Sequence, residues 1–140
     1  MSEPYDLRRF VQAQEPMFEQ VRSELRAGRK QSHWMWFVFP QLKGLGHSWM
    51  AGEFGISGRD EAEAYLRHPV LGPRLRECTA LVNSIEGRSI ERIFGYPDYL
   101  KFRSCMTLFA NATRDNEVFV SALQKYFGGQ GDPVTLEMMN

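Results

Sequence analysis

The residues best equipped for chemistry crowd into one stretch. It reads Lys30-Gln-Ser-His33-Trp34-Met-Trp36-Phe-Val-Phe-Pro40-Gln41-Leu-Lys43-Gly44-Leu-Gly46-His47-Ser-Trp49 and holds all three tryptophans. His33, Gln41, Lys43 and His47 border an aromatic wall of Trp34 and Trp36. Gly44 and Gly46 allow a tight turn or a close backbone approach. Free N–H groups beside aromatic faces suit an anionic, partly aromatic small molecule, such as a nucleotide or an ADP-ribose-like compound. Hydrolysis by a histidine or carboxylate acting on water, without a metal, is the simplest reaction these groups support. The Gly-Leu-Gly itself is neither a phosphate loop nor a dinucleotide fingerprint, because the trailing spacing of both is missing. A core segment followed by a turn has the same pattern, and that reading stands beside the first.

Four residues outside the stretch are candidates to join it. His68, before Pro69, can cap the C-terminus of the preceding helix or meet His33 or His47 in a pocket. Arg74 and Arg76 fall in the first turn of a helix, where cations are poorly placed with respect to the dipole. Arg74 is therefore expected to pair with a carboxylate or to hold an anion. Lys101 and Ser104 lie just beyond Asp98, itself a natural capping residue, and are expected to face the same cleft. Lys101 shares a helix face with Cys105 and could activate that thiol, but no frame of the Gly-x-Ser-x-Gly kind accompanies it. His33, His47 and His68 lack His-Glu-x-x-His spacing and paired cysteines, so no metal is expected, and no cofactor. Cys78 and Cys105 sit in apolar helical patterns, as buried thiols in a reducing cytosol do.

The elements that must position these groups are helical. Asp6 starts a short amphipathic turn through Phe10 and Gln14, and Pro16 opens a second helix that Gly28 stops. Its stripe of Arg22, Arg26, Arg29 and Lys30 reads as a solvated face. Ser57 caps a helix that ends at His68-Pro69. Val70 to Ile85 repeats apolar residues at helical spacing and stops at Gly87. Ser89 and Gly95 bracket Ile90 to Phe94, and Pro97 opens a longer helix. Asp115 caps a helix closed by Gly128-Gly129, and Asp132-Pro133 opens a last one. Trp34 to Phe39 has the composition of a buried strand. A solitary strand would leave its N–H and C=O groups unpaired, so it is assigned as a buried helix between Ser32 and Pro40. The expected fold is all-α: one multihelical domain over residues 1–140, of seven to eight helices around a Trp/Phe-rich central segment.

Composition narrows the function classes. The chain has 140 residues, 43% of them hydrophobic and 13% aromatic, enough for a packed core. Lys+Arg and Asp+Glu are 17 each, a net charge of zero, so a nucleic-acid or anionic-membrane partner is not expected. Residues 1–10 have no apolar signal segment, and a cytoplasmic location is expected. The stretch from His33 to Gln41 followed by Gly44-Leu-Gly46 resembles the hallmark of the bacterial domain of unknown function 1810. Glu61 to Leu75, Ile93 to Gly95 and Lys101 to Phe109 are similar to it as well, so the resemblance covers roughly residues 6–136. It implies a mostly helical fold of its own type and no established activity. Such chains are sometimes labelled calpastatin, but an inhibitor of that kind is disordered and this composition is globular. Cys105 departs from the family pattern, which has a second serine there. Two functions are carried forward: a small-molecule site at the Trp/Gly stretch, and a non-catalytic protein interaction module. The second rests on the apolar residues near the ends, Tyr5, Met138 and Met139.

Overall fold

The burial pattern of one helix organises the rest. Between Asp98 and Ala110, every residue from Ser104 onward is buried, and a helix apolar on all sides belongs at the centre of a body. The computed structural model describes residues 4–139. In chain order its helices are α1 (Arg8–Gln14), α2 (Phe18–Arg26), α3 (Met35–Val38), α4 (Trp49–Glu53), α5 (Arg59–Arg67), α6 (Leu71–Asn83), α7 (Ile90–Phe94), α8 (Asp98–Ala110), α9 (Glu117–Phe127) and α10 (Pro133–Met139). α8 packs against α5, α7, α9 and α10, α6 joins α2, α5 and α9, and α1 lies on α3. The fold is all-α, as expected, with ten helices rather than seven or eight among the described residues. The helix without a forecast is α4, which contains Gly52 and buries no side chain. Its one local signal is Ser48, whose hydroxyl accepts the Ala51 N–H at 3.1 Å.

The Trp34–Phe39 segment is buried except for Trp36, which is half-buried. It joins two aromatic clusters. Trp34 and Phe39 pack with Phe94 and Phe102, the Phe39 and Phe102 rings 5.1 Å apart. Phe37 meets Phe54, which meets Phe10 and through it Tyr65. Edge-to-face contacts of this kind add to simple burial.

A single helical turn is not stable alone, so α3 depends on tertiary partners for its backbone groups. The Gln14 amide on α1 donates to the Phe37 carbonyl at 2.6 Å. At the other end, Glu24 of α2, only 7% exposed, accepts five hydrogen bonds. The donors are the backbone N–H of Gln31 and Ser32, the Ser32 hydroxyl, the Gln20 amide and the Trp34 indole. Ser32 was expected to cap α3, but its hydroxyl is committed to Glu24, and Trp34 stands at the N-cap.

Other local expectations hold or move by a residue. Ser89 accepts from Arg92 N–H, and Asp132 accepts from both the backbone and the hydroxyl of Thr135. Gly28, Gly87, Gly95, Gly128 and Gly129 all take positive φ where a stop was expected. Leu7, Gly58 and Asn116 hold the N-cap positions expected for Asp6, Ser57 and Asp115, with no side-chain cap. Gly72 marks a backbone crossing between α5 and α6, where a Cβ would overlap the Leu66 carbonyl oxygen.

Burial opposes ionisation of Glu24. The Ser32 hydroxyl, the two backbone N–H groups and Gln20 outweigh it, bringing the carboxyl from the usual 4.5 to about 2. Because the folded value is depressed, the stabilisation is complete above about pH 4.5 and disappears as the pH falls toward 2. Urea unfolding of Glu24→Gln should show a loss of about 2–3 kcal/mol at pH 7, narrowing progressively below pH 4.5. A constant loss across that range would refute the assignment. Gly72→Ala should destabilise by more than about 3 kcal/mol, because the obstructing atom is backbone and cannot turn aside. An unchanged thermal midpoint would refute that crossing.

Candidate functional site

Directly after α3 the chain leaves the core and returns to it. Lys43 N–H donates to the Ile56 carbonyl at 2.8 Å, and Ile56 N–H donates to the Gln41 carbonyl at 2.9 Å. These two bonds form a parallel bridge between Leu42 and Ile56, which closes the neck of an Ω-like excursion over residues 43–55. Gly55 sits in that neck, where a Cβ would come 2.7 Å from Lys43 Cα and 2.8 Å from the Ala51 carbonyl. Arg9 secures the returning limb, donating to the carbonyls of Glu53 and Gly55 and pairing with the buried Glu61 at 3.0 Å.

A recess lies between this excursion and the helical body. Trp36, Phe39, Gln41, Met50, Phe54 and Lys101 line it, and Ala51 and Gly55 close it. The Lys101 ammonium stands 4.6 Å from the centre of the Trp36 ring. Asp98, one turn before it on α8, accepts from Lys101 at 3.3 Å and from Lys30 at 2.8 Å. Lys30 is 8% exposed and lies 5.3 Å from the Trp34 ring. The group therefore has two ammonium ions for one carboxylate against two tryptophan faces, an excess of one positive charge. The recess has room for about 10 Å³, the least that holds one water molecule.

The sequence-derived candidates separate into three groups. Trp36, Gln41 and Lys101 come together at the recess, and Gly46 stands beside it, its Cβ position 3.5 Å from the Gln41 amide. Lys43, Gly44 and His47 are exposed on the excursion, and His33 is exposed at its approach. Gly44 takes φ +101° and has the Met138 methyl of α10 for a neighbour. Trp34 is fully buried and tied to Glu24. His68, Arg74 and Ser104 have structural partners. His68 is the C-cap of α5, its N–H donating to the Ala64 carbonyl at 3.0 Å, and its Nδ1 also accepts from Val70 and Leu71 N–H at the start of α6. Arg74 pairs with Glu15 at 2.8 Å and lies over Phe18. Ser104 donates back to the Leu100 carbonyl.

Two residues linked to the recess through Lys101 carried a different expectation. Lys30 reads as part of a solvated stripe and Asp98 as a cap, and only the fold brings them within bonding distance. Cys105 cannot be an activated nucleophile, because it is wholly buried and burial pushes its thiol well above the ordinary range. Burial likewise raises Cys78 to about 12. Among the described residues no three His, Cys, Asp or Glu side chains gather as metal ligands, and no helix is long and apolar enough to cross a membrane.

The family model described as a protein of unknown function, DUF1810, matches residues 4–139. The chain belongs to the DUF1810 family. Its fold is also similar to the crystal structure of the conserved hypothetical protein Rv1873 from Mycobacterium tuberculosis. The two are 60% identical over 98% of each chain, with a TM-score of 0.97. No curated protein matches it. For a DUF1810 chain, then, the chemistry must be read from the side chains themselves.

Removing Asp98 from this member should strand the buried Lys30 ammonium. Asp98→Ala should cost about 3–5 kcal/mol in chemical denaturation, and adding Lys30→Met should recover part of it. Additive losses in the double variant would show that the pair is not coupled.

Proposed function

We propose that this protein is a cytoplasmic small-molecule binder whose ligand carries an anionic group and a flat ring. The anion sits against Lys101, and the ring stacks beside Trp36 under the 43–55 excursion. The observation that carries this reading is the Lys101 ammonium held 4.6 Å above the Trp36 ring at the wall of the recess. Space for a ligand requires the excursion to swing outward. α4 is suited to that, since none of its own side chains is buried and the neck bonds can persist while it moves. Gln41 and Gly46 border the opened space. His33, Lys43, Gly44 and His47 ride at or near the moving segment and reach the outer parts of a nucleotide-like ligand. No imidazole lines the recess, and both Asp98 oxygens are engaged by lysines. The reading is accordingly of binding, with the hydrolytic possibility resting on movement of His33 or His47.

A second reading, a non-catalytic interaction module, has Trp49 in its favour, 74% exposed on α4. Titration with ADP-ribose separates the two. On the first reading, tryptophan fluorescence changes saturably and a hundredfold excess over Kd stabilises the protein by about 2.7 kcal/mol. Lys101→Met should weaken that binding about tenfold or more, and Trp49→Ala should not. No thermal shift with ADP-ribose, and none with benzoate as a minimal aromatic anion, would overturn the ligand reading.

A further inference from the structure

Away from the recess, two open grooves meet at Arg76. One, of about 650 Å³, runs between α6 and α9 past Ala80, Asn83, Val118 and Ser121. The other, of about 530 Å³, lies against α5 and the turn before α9, past Leu66, Arg67, Thr113 and Arg114. Both volumes fall in the range of small-ligand sites. Arg76 and Asp115 line both grooves, so they form one trough with Arg76 across its middle.

The trough has an electrostatic direction. Arg76 is held by the Asp115 backbone carbonyl at 2.9 Å and lies 5.3 Å from the Phe119 ring. Its reach to the Asp115 carboxylate, 86% exposed, is 3.8 Å, too long for a strong pair. Arg67 and Arg114 make no ion pair or hydrogen bond among the described residues. Arg67, Arg76 and Arg114 thus line one groove, against Glu63 and Asp115. Planar guanidinium groups match the oxygens of a phosphate.

The other end offers a hydrogen-bond acceptor. Asn83 lines the groove, and its Nδ2 donates to the Val118 carbonyl at 3.0 Å. Its Oδ1 is buried and has no partner, and an unpaired buried acceptor is costly. The terminal torsion of asparagine is broad, so the amide can turn on ligand binding, exchanging its Val118 bond for a ligand donor to this oxygen. Asn83 lies seven positions after Arg76 on the same face of α6, about 10.5 Å along the axis.

We propose that this trough binds a nucleoside monophosphate, with its phosphate between Arg67, Arg76 and Arg114 and an exocyclic amino group of its base donating to Asn83 Oδ1. The base rests on Ala80 and Val118, and the span from amide to guanidinium suits the length of the molecule. This site is independent of the recess beside Trp36.

NMR titration of the full chain with AMP, ribose 5-phosphate and inorganic phosphate tests it. AMP should perturb the side-chain signals of Arg67, Arg76, Arg114 and Asn83, and bind at least tenfold more tightly than ribose 5-phosphate. The double variant Arg67→Gln with Arg114→Gln alters exposed side chains only, and should weaken AMP binding at least tenfold. Asn83→Ala should bring AMP down to the affinity of ribose 5-phosphate while leaving the latter unchanged. The proposal is overturned if AMP binds no better than inorganic phosphate. It is equally overturned if the double variant binds as the wild type does, or if the shifts gather at Trp36 and Lys101 instead.

Discussion

The molecule turns on one buried carboxylate. Glu24 loses hydration when α2 packs, and that loss is offset only because five donors converge on its two oxygens. Hydrogen bonds to a charged group are each about 1.5–3 kcal/mol, enough together to freeze the turn over residues 31–34. Without the carboxylate, the buried Trp34 indole and the part-buried N–H groups of Gln31 and Ser32 would lose their acceptor. With it, Trp34 is set against Phe39 and Phe94, and the direction of α3 follows. Lys30, whose N–H donates to the Ile93 carbonyl at 2.8 Å, is carried to Asp98 by the same turn. The arrangement at the recess is thus a remote result of how α2 ends.

Cohesion is uneven across the fold. α8 is enclosed on all sides from Ser104 onward, and its neighbour α9 is tied to α6 by Tyr126 donating to the Val82 carbonyl at 2.6 Å. The 43–55 excursion is fixed at its neck, at Phe54 and through Arg9, rests Leu45 and Met50 half-buried on the core, and elsewhere presents mostly exposed side chains. Segments with few buried contacts open at lower free energy than the global unfolding reaction. Rigidity at the Trp36 wall and looseness in the cover above it are therefore built from adjacent residues.

Much of the helical plan was legible because helix ends carry local chemistry. Ser89 with Gly95 delimits α7, and Gly28 and Gly128 take the conformations that only glycine adopts cheaply. The errors arose where a side chain had a distant use. Ser32 looks like a cap until Glu24 claims it, whereas His68 ends α5 as expected and its imidazole serves the next helix as well. α4 went unseen because its residues repeat no buried face. At the candidate site, Trp36, Gln41 and Lys101 were visible as residue types in suggestive company. Lys30 and Asp98 were not, because a pair so far apart in the chain leaves no spacing to read. Arg74 was the reverse case, since its poor fit to the helix dipole did point to the carboxylate of Glu15.

The two backbone hydrogen bonds that join Leu42 to Ile56 have an evolutionary consequence. They bring the ends of the intervening segment together, so that changes at its exposed residues 47–49 need not reach the aromatic clusters beneath. Variation in what the molecule recognises is thereby confined to a few outward-facing side chains, while Gly46, Phe54 and Gly55 stay bound by close packing to the scaffold.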